Sequence, residues 1–298
     1  SRPGSRPRRL FGAWDGLYTV AGSAGDTFYV QTTQGAPRGR VIAVDARRPQ
    51  PRRWREVVPQ AHATLAGTTL VGTRLVARYV RDAHGLARLF ETDGRPVGEV
   101  PLPGLGTVDG FAGEAGDPES FFSYTDFLTP MRVLRYDSQS NAAQPYRVPQ
   151  LDADTSRYVT RQVFYTSRDG TRVPMFLTHR RDFVADGSAP VMLNGYGGFG
   201  ISRTPEFRPA VLAWLDMGGV HALAGLRGGG EYGEAWHQAG TKARKQNVFD
   251  DFIAAAEWLV AQRYTRPSRL AISGRSNGGA LVGAGPTQRP GPPRPAPP

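Results

Sequence analysis

Ser276 stands in Gly274-Arg275-Ser276-Asn277-Gly278, a G-x-S-x-G pattern extended by Gly279. A serine oxygen becomes a useful nucleophile when a sharp strand-to-helix turn lifts it above a sheet, where a base can reach it. Side chains two positions away on either side would strike the neighbouring strand and helix, and glycines at 274 and 278 remove that collision. The context fits, since LAIS (270–273) reads as a buried strand and GGALVGA (278–284) as the start of a helix. That helix would aim its first N–H groups and positive dipole end at the reacting centre. The backbone N–H of Asn277 would then be one donor to a developing oxyanion. The chemistry implied is acyl transfer through a covalent intermediate on Ser276, with a purely structural glycine turn as the plainer alternative.

Such a serine needs a base and an acid, and hydrolases built on this turn place them after the serine, acid first and histidine second. Here His62, His84, His179, His221 and His237 all precede Ser276, the last aspartate is Asp251 and the last glutamate is Glu257. Neither position is filled within the sequence, so little or no turnover is expected of this chain by itself. His237 lies in a glycine-rich stretch near the expected active edge and has the best opportunity to substitute. A structural role is nevertheless the expectation for each histidine.

Two further glycine-rich stretches invite other chemistry. Gly195-Tyr196-Gly197-Gly198-Phe199-Gly200 satisfies G-x-G-x-x-G after a predicted strand, with Asp216 about 20 residues on, as a dinucleotide site requires. A dinucleotide turn must open a helix, yet Pro205 and Pro209 fall where that helix should start. An oxyanion loop suits the stretch better. RGGGEYG (227–233) lacks the Gly-Lys-Ser/Thr ending of a phosphate loop and is expected to wall the site.

The elements that must hold these residues fall into two halves. TFYV (27–30) leads to VIAVD (41–45), RLVARYV (74–80) to ARLFETD (87–93), and SFFSY (120–124) to MRVLRYD (131–137). The leading strands start 47 and 46 residues apart. Short Val-, Phe- and Tyr-rich strands at a period in the forties fit the blades of a β-propeller, about three of them, with a β-sandwich as the alternative. Asp45, Asp93 and Asp137 close the repeats and are expected to end strands in turns rather than to bind metal.

Beyond about residue 150 the periodicity changes. Segments 158–166 and 173–178 alternate around Arg168-Asp169-Gly170, a hairpin signal. APVML (189–193) and GVHALA (219–224) are short apolar runs ending in glycine-rich loops, as in a sheet covered on both faces. Asn247 is placed to cap a helix whose apolar face holds Phe249, Phe252, Ile253, Ala256, Leu259 and Val260. Strand, helix, strand and serine turn in this order predict an α/β sheet, mostly parallel.

Composition excludes several classes. The chain is 39% hydrophobic and 10% aromatic, which is globular, and no run of eighteen apolar residues is present, so no membrane partner is expected. Without cysteine there are no disulfides or thiolate metal sites, and neither metal nor cofactor is expected. The net charge is +11, and the cations are almost all arginine. Arg47, Arg48, Arg52, Arg53 and Arg55 cluster around Pro49 and Pro51, which marks a solvated loop rather than a nucleic-acid surface.

NGYGGFG (194–200), MGGVHALAGLRGGGEYGEAWHQAG (217–240), KQNVFDDFIAAAEWLVAQRYT (245–265) and GRSNGG (274–279) together resemble the prolyl oligopeptidase family of serine peptidases. PRRWREVVP (51–59) and VDGFAG (108–113) carry the likeness into the first half. In that family a seven-bladed propeller caps an α/β-hydrolase domain and limits entry to short peptides. The resemblance implies Ser276 as nucleophile, Asn277 and the Tyr196 hydroxyl as oxyanion donors, and Phe199 lining the pocket for a proline ring. Asn194 departs from the Tyr that many members carry, and Arg275 stands where Gly is frequent.

The organisation expected is a partial propeller over 1–150, the first part of a hydrolase domain over 151–284, and a proline-rich tail over 285–298. The switch to GPPRPAPP suggests a truncated or frame-shifted reading, with a natural linker or groove ligand as the alternative. Absence of an initiating methionine suggests that the start is missing too. The implied activity is hydrolysis of short proline-containing peptides after proline, by a cytoplasmic monomer, with periplasmic or secreted placement open. A non-catalytic binding module or pseudoenzyme is the competing reading.

Overall fold

The computed structural model describes residues 9–113 and 116–288. Its first half consists of three four-stranded antiparallel sheets, each a meander in chain order. The first holds β1 (Tyr18–Ala24), β2 (Thr27–Thr32), β3 (Arg40–Asp45) and β4 (Arg55–Val58). The second holds β5 (Thr64–Val71), β6 (Arg74–Arg81), β7 (His84–Glu91) and β8 (Pro96–Glu99). The third holds β9 (Thr107–Ala112), β10 (Glu119–Thr125), β11 (Arg132–Asp137) and β12 (Ala142–Arg147).

The period-2 alternation explains how the blades stack. On the middle sheet Leu75, Ala77 and Tyr79 of β6, with Leu86 and Phe90 of β7, bury against Tyr29, Val41 and Ala43 of the first sheet. The intervening residues Val76, Ala87 and Leu89 bury against Phe111, Phe122 and Tyr136 of the third. Both faces of the middle sheet are thus apolar and covered, as aligned sheet packing requires.

Asp45, Asp93 and Asp137 do the same job in each blade. Their carboxylates accept the backbone N–H two residues on, from Arg47 at 2.7 Å, Arg95 at 2.9 Å and Gln139 at 2.8 Å. Each is an Asx turn leaving a third strand. In the basic cluster Arg47 pairs with Asp26, and Arg55 donates to the Asp93 and Thr92 carbonyls.

The second half is one five-stranded sheet in the order β13 (Tyr158–Thr166), β14 (Arg172–Arg180), β16 (Val220–Ala224), β15 (Val191–Asn194), β17 (Leu270–Ser273). β15 runs parallel to both β16 and β17, and β14 is antiparallel to β13 and β16. All strands but β14 therefore share one direction. Helix α1 (Pro209–Asp216) covers one face through Val211, Leu212 and Leu215 beside Tyr158. The other face is covered by α3 (Gln246–Ala261) and α4 (Asn277–Gln288), with the short α2 (Glu234–Gln238) between β16 and α3. Val248, Phe252, Ala255, Leu259 and Leu281 pack there on Met175, Leu193 and Ala222.

Helix α3 differs from expectation at its start. Lys245 is the N-cap residue, and Asn247 turns its amide away to the Ala239 carbonyl at 2.9 Å. The most buried face runs through Val248, Asp251, Phe252, Ala255 and Leu259, so a carboxylate takes part in it. Helix α4 also continues through Gln288, so the first residues of the expected proline-rich tail are helical, and 289–298 lie outside the described residues.

The two halves meet through a hairpin tip. Asp82 and Ala83 join β6 to β7 with φ of 48° and 66°, a two-residue turn whose twist suits a hairpin. Ala83 is buried against Phe127, Phe176 and Leu223. The Tyr232 hydroxyl donates to the Asp82 carboxylate at 2.8 Å, and the Gln162 amide donates to its carbonyl. Thr107 donates to the Pro205 carbonyl at 2.6 Å, and the Phe207 N–H donates to Thr125 at 3.2 Å.

Candidate active site

Two loops leave the same edge of the sheet side by side, because Asn194 and Ser273, the last residues of β15 and β17, are register partners. The Asn194 amide donates to the Ser273 carbonyl at 3.1 Å and ties the exits together.

The serine turn has the conformation its sequence demands. Ser276 is the residue at the apex, with φ of 57°, a left-handed backbone that L-residues occupy at a cost and that clusters at functional sites. A Cβ on Gly274 would lie 2.2 Å from the Gly278 carbonyl oxygen, and one on Gly278 would lie 2.7 Å from that of Gly195. The two motif glycines therefore let strand, helix and neighbouring loop touch through backbone alone. Ser276 is exposed, and among the described residues its hydroxyl has no hydrogen-bond partner.

The second loop carries Tyr196 and Phe199. No helix follows it until Pro209, so the N-terminus that a dinucleotide pyrophosphate would need is missing there. Asp216, the acid at dinucleotide spacing, ends α1 in an ion pair of 2.9 Å with Arg157. Tyr196 is half-buried, with the Arg203 guanidinium 5.9 Å above its ring. Phe199 has φ of 57° and is 74% exposed on the outer turn of the loop.

Asn277 joins loop to elbow. Its Nδ2 donates to the Tyr196 carbonyl at 2.5 Å, and its Oδ1 accepts from Lys245 Nζ at 3.2 Å. The same ammonium donates to the Gly197 carbonyl at 2.8 Å. A Cβ on Gly198 would come within 2.5 Å of Asn277 Nδ2, which explains glycine there. Ser276, Asn277 and the Tyr196 loop are thus held together, while Phe199 stands at the periphery.

The 227–233 stretch supports this loop from beneath instead of walling the site. The Gly228 carbonyl accepts from the Gly200 N–H at 3.0 Å, and the Glu231 carboxylate accepts from the Arg203 N–H at 2.7 Å. Arg227 turns inward, giving Nη2 to Asp251 at 2.6 Å and further bonds to Asp169 and Ser167. Burial works against its charge, but the hydrogen bonds it donates to Asp251 and Asp169 overcome that and hold its pKa above the ordinary value. Glu231 is 1% exposed, and burial pushes its carboxyl up to about 7. Its Oε2 has no partner among the described residues, as suits a carboxyl that keeps its proton.

Two of the histidines are tied into the fold. His237 Nδ1 lies 2.9 Å from the Gly228 carbonyl, in the floor of the loop. His221 is buried against Phe127, and burial lowers its pKa to about 4. Lys245, Glu231 and the Arg227–Asp251 pair escaped the reading of the sequence. One available signal was a lysine retained at 245 in an arginine-rich chain. Another was Asp251 at helical spacing from Val248 and Ala255, a charge on an apolar face.

The chain resembles known proteins along both halves. Residues 1–149 match the prolyl oligopeptidase N-terminal beta-propeller domain, and residues 205–292 match the prolyl oligopeptidase family. A prolyl endopeptidase of Elizabethkingia miricola is 40% identical over 266 residues, covering 89% of this chain and 38% of the relative. A solved structure from a study of two prolyl endopeptidases superposes with a TM-score of 0.91 at 45% identity, covering 97% of this chain and 43% of the other. Prolyl oligopeptidase B of Galerina marginata, bound to a 35mer hydrolysis and macrocyclization substrate, superposes with a TM-score of 0.87 at 32% identity, covering 93% of this chain and 40% of that one. The chain therefore spans about two fifths of the length of the relatives it matches. Matched along both halves, with propeller blades followed by part of an α/β-hydrolase sheet, the chain belongs to the prolyl oligopeptidase family.

Proposed function

We propose that this chain is the nucleophile-bearing part of a serine peptidase that cleaves short peptides after proline. The observation that carries the reading is Ser276 at φ 57° on the elbow, with Asn277 bonded directly to the Tyr196 loop. In the reaction Ser276 Oγ attacks the carbonyl carbon of the proline residue, and that carbonyl oxygen becomes an oxyanion held by the Tyr196 hydroxyl and the Asn277 N–H. The serine proton passes to a histidine supplied from outside residues 1–298, which returns it to the leaving amine. Water then releases the acyl group by the same route in reverse. Phe199 offers its exposed ring to the proline side chain. The blades of residues 1–150 form part of the cap, and residues 151–284 form the first part of the catalytic domain.

The test compares two reporter peptides that differ only in Pro or Ala before the scissile bond. The complete peptidase chain carrying this stretch is expected to prefer Pro by about 10²-fold in kcat/KM, the discrimination a shaped apolar pocket can supply. The chain of residues 1–298 is expected to turn over neither. Equal hydrolysis of both peptides by the complete chain would refute the post-proline assignment.

A further inference from the structure

Lys245 is the N-cap residue of α3, with φ of −59° and ψ of −25°, and the next turn of that helix buries Val248 in the core. Its ammonium is therefore held by a fixed element rather than by a loop. A Cβ on Gly197 would lie 2.2 Å from the Val248 side chain, so the first turn of α3 also seats the Tyr196 loop.

From this position Nζ reaches the Gly197 carbonyl at 2.8 Å and Asn277 Oδ1 at 3.2 Å, while Asn277 Nδ2 reaches the Tyr196 carbonyl. These contacts close a ring around the two prospective oxyanion donors. The polarity of the ring is determined: an ammonium only donates and a peptide carbonyl only accepts, so the Asn277 amide must point its oxygen at Lys245. Without the lysine, only the Tyr196 carbonyl would hold the amide in this orientation. Among the described residues Lys245 has no ion pair, and its ammonium is spent on neutral acceptors. Burial lowers its pKa, a cost that an ordinary surface lysine avoids.

We propose that Lys245 is a positioning residue for acyl transfer, holding the Tyr196 loop and the Asn277 backbone at the separation that the oxyanion requires. The proposal rests on the reading of Tyr196 and Asn277 as the two donors. It acts through them and not by touching the substrate, so its effect belongs to the transition state. A misplacement of about 1 Å at such donors costs on the order of 10²-fold in rate.

The test uses the complete peptidase chain with Lys245→Met, Lys245→Arg and Ser276→Ala. Three quantities are measured: kcat and KM on a prolyl reporter, affinity for a peptidyl prolinal that forms a tetrahedral adduct, and affinity for a product peptide ending in proline. Lys245→Met is expected to lower kcat by about 10 to 10²-fold and prolinal affinity in parallel, with KM and product affinity within about twofold. Lys245→Arg, which keeps the charge and the donors, is expected to recover most of the loss. Unchanged kcat and prolinal affinity in Lys245→Met would overturn the proposal. So would an equal loss of product affinity, which marks a general packing role. If Lys245→Met does not fold, the arms of Lys245→Gln decide in the same way, with a smaller loss expected because its amide still donates. Full activity in Ser276→Ala would instead overturn the reading of the site itself, and so separates the two failures.

Discussion

Arg227 and Asp251 form an ion pair in which a guanidinium gives Nη2 at 2.6 Å and Nε at 3.1 Å to a carboxylate with 0% exposure. The pair joins the loop after β16 to the buried face of α3, directly beneath the Tyr196 loop. Removing Asp251 would leave the buried guanidinium with only the half-exposed Asp169 as counter-charge, at a cost of about 3 kcal/mol. Asp251→Ala is therefore expected to lower the melting temperature of the complete chain by roughly 2 °C. A shift below about 0.5 °C in calorimetry would show that the pair is not a structural anchor.

Asp169 takes the outer side of the same guanidinium, and the Arg227 hydrogen bond holds its carboxyl down to about 2. A depressed acid stabilises the fold above its ordinary value of 3.8 and loses that contribution as pH falls through the folded value. Because this side chain is half-exposed, screening reduces the contribution to about 1 kcal/mol. Asp169→Asn should flatten melting curves recorded between pH 4 and 2, and an unaltered acid limb would contradict the assignment.

Glu231 titrates in the opposite sense. Burial raises its carboxyl from 4.5 to about 7, so its contribution is full below 4.5 and is lost as pH rises through 7. Glu231→Gln keeps an acceptor for the Arg203 N–H and removes the ionisation. The variant should gain a few kcal/mol over the parent above pH 7 and show a shallower stability profile between pH 4.5 and 8. Parallel profiles for the two proteins would count against a neutral Glu231.

Gly198 tests the contact between loop and elbow without touching either donor. Its backbone is outside the left-handed region, so alanine meets no conformational strain, only the Asn277 amide at 2.5 Å. Gly198→Ala is expected to reduce kcat of the complete peptidase by about 10²-fold while leaving its melting temperature nearly unchanged. Wild-type kcat would show that the loop can move aside freely.

Asp82 and Tyr232 couple the middle blade to the hydrolase half. Burial, and then the Asp82 carboxylate, hold the Tyr232 hydroxyl in its protonated, donating form. Asp82→Gly tolerates φ of 48°, and Tyr232→Phe removes only the hydroxyl, so a double-mutant cycle isolates the bond. A coupling of about 1 to 2 kcal/mol in unfolding is expected for a charged acceptor in a partly buried setting. Additive effects would place the linkage elsewhere, in Ala83 and Phe127 for example.

Much of the fold was legible because it rests on local signals. Alternation in RLVARYV reports a sheet covered on both faces, Asp45, Asp93 and Asp137 mark Asx turns, and glycines around Ser276 mark the elbow. The missed features are non-local pairings. Asn247 looks like a cap, but the Ala239 carbonyl, eight residues back, claims its amide and leaves the cap position to Lys245. Arg227 looked like part of a site wall until Asp251 and Asp169, from two other elements, took its guanidinium. Nothing in the residues near Asp82-Ala83 announces that a hairpin tip will bury itself among Phe127, Phe176 and Leu223. Ser276 and Asn277 could be placed together from the elbow motif and Tyr196 from the family resemblance, whereas the lysine that bonds to the Gly197 carbonyl and to Asn277 follows only from the packing of α3.

Covalent labelling tests Ser276 as the nucleophile without relying on turnover. The complete peptidase chain would be treated with a phosphonofluoridate, digested and mapped by mass spectrometry, with and without a peptidyl prolinal as protectant. One stoichiometric adduct is expected on the peptide carrying Ser276, suppressed by the prolinal and absent in Ser276→Ala, whose kcat should fall by about 10⁶-fold. Prolyl hydrolysis that persists in Ser276→Ala, or a protectable adduct on another residue, would contradict it.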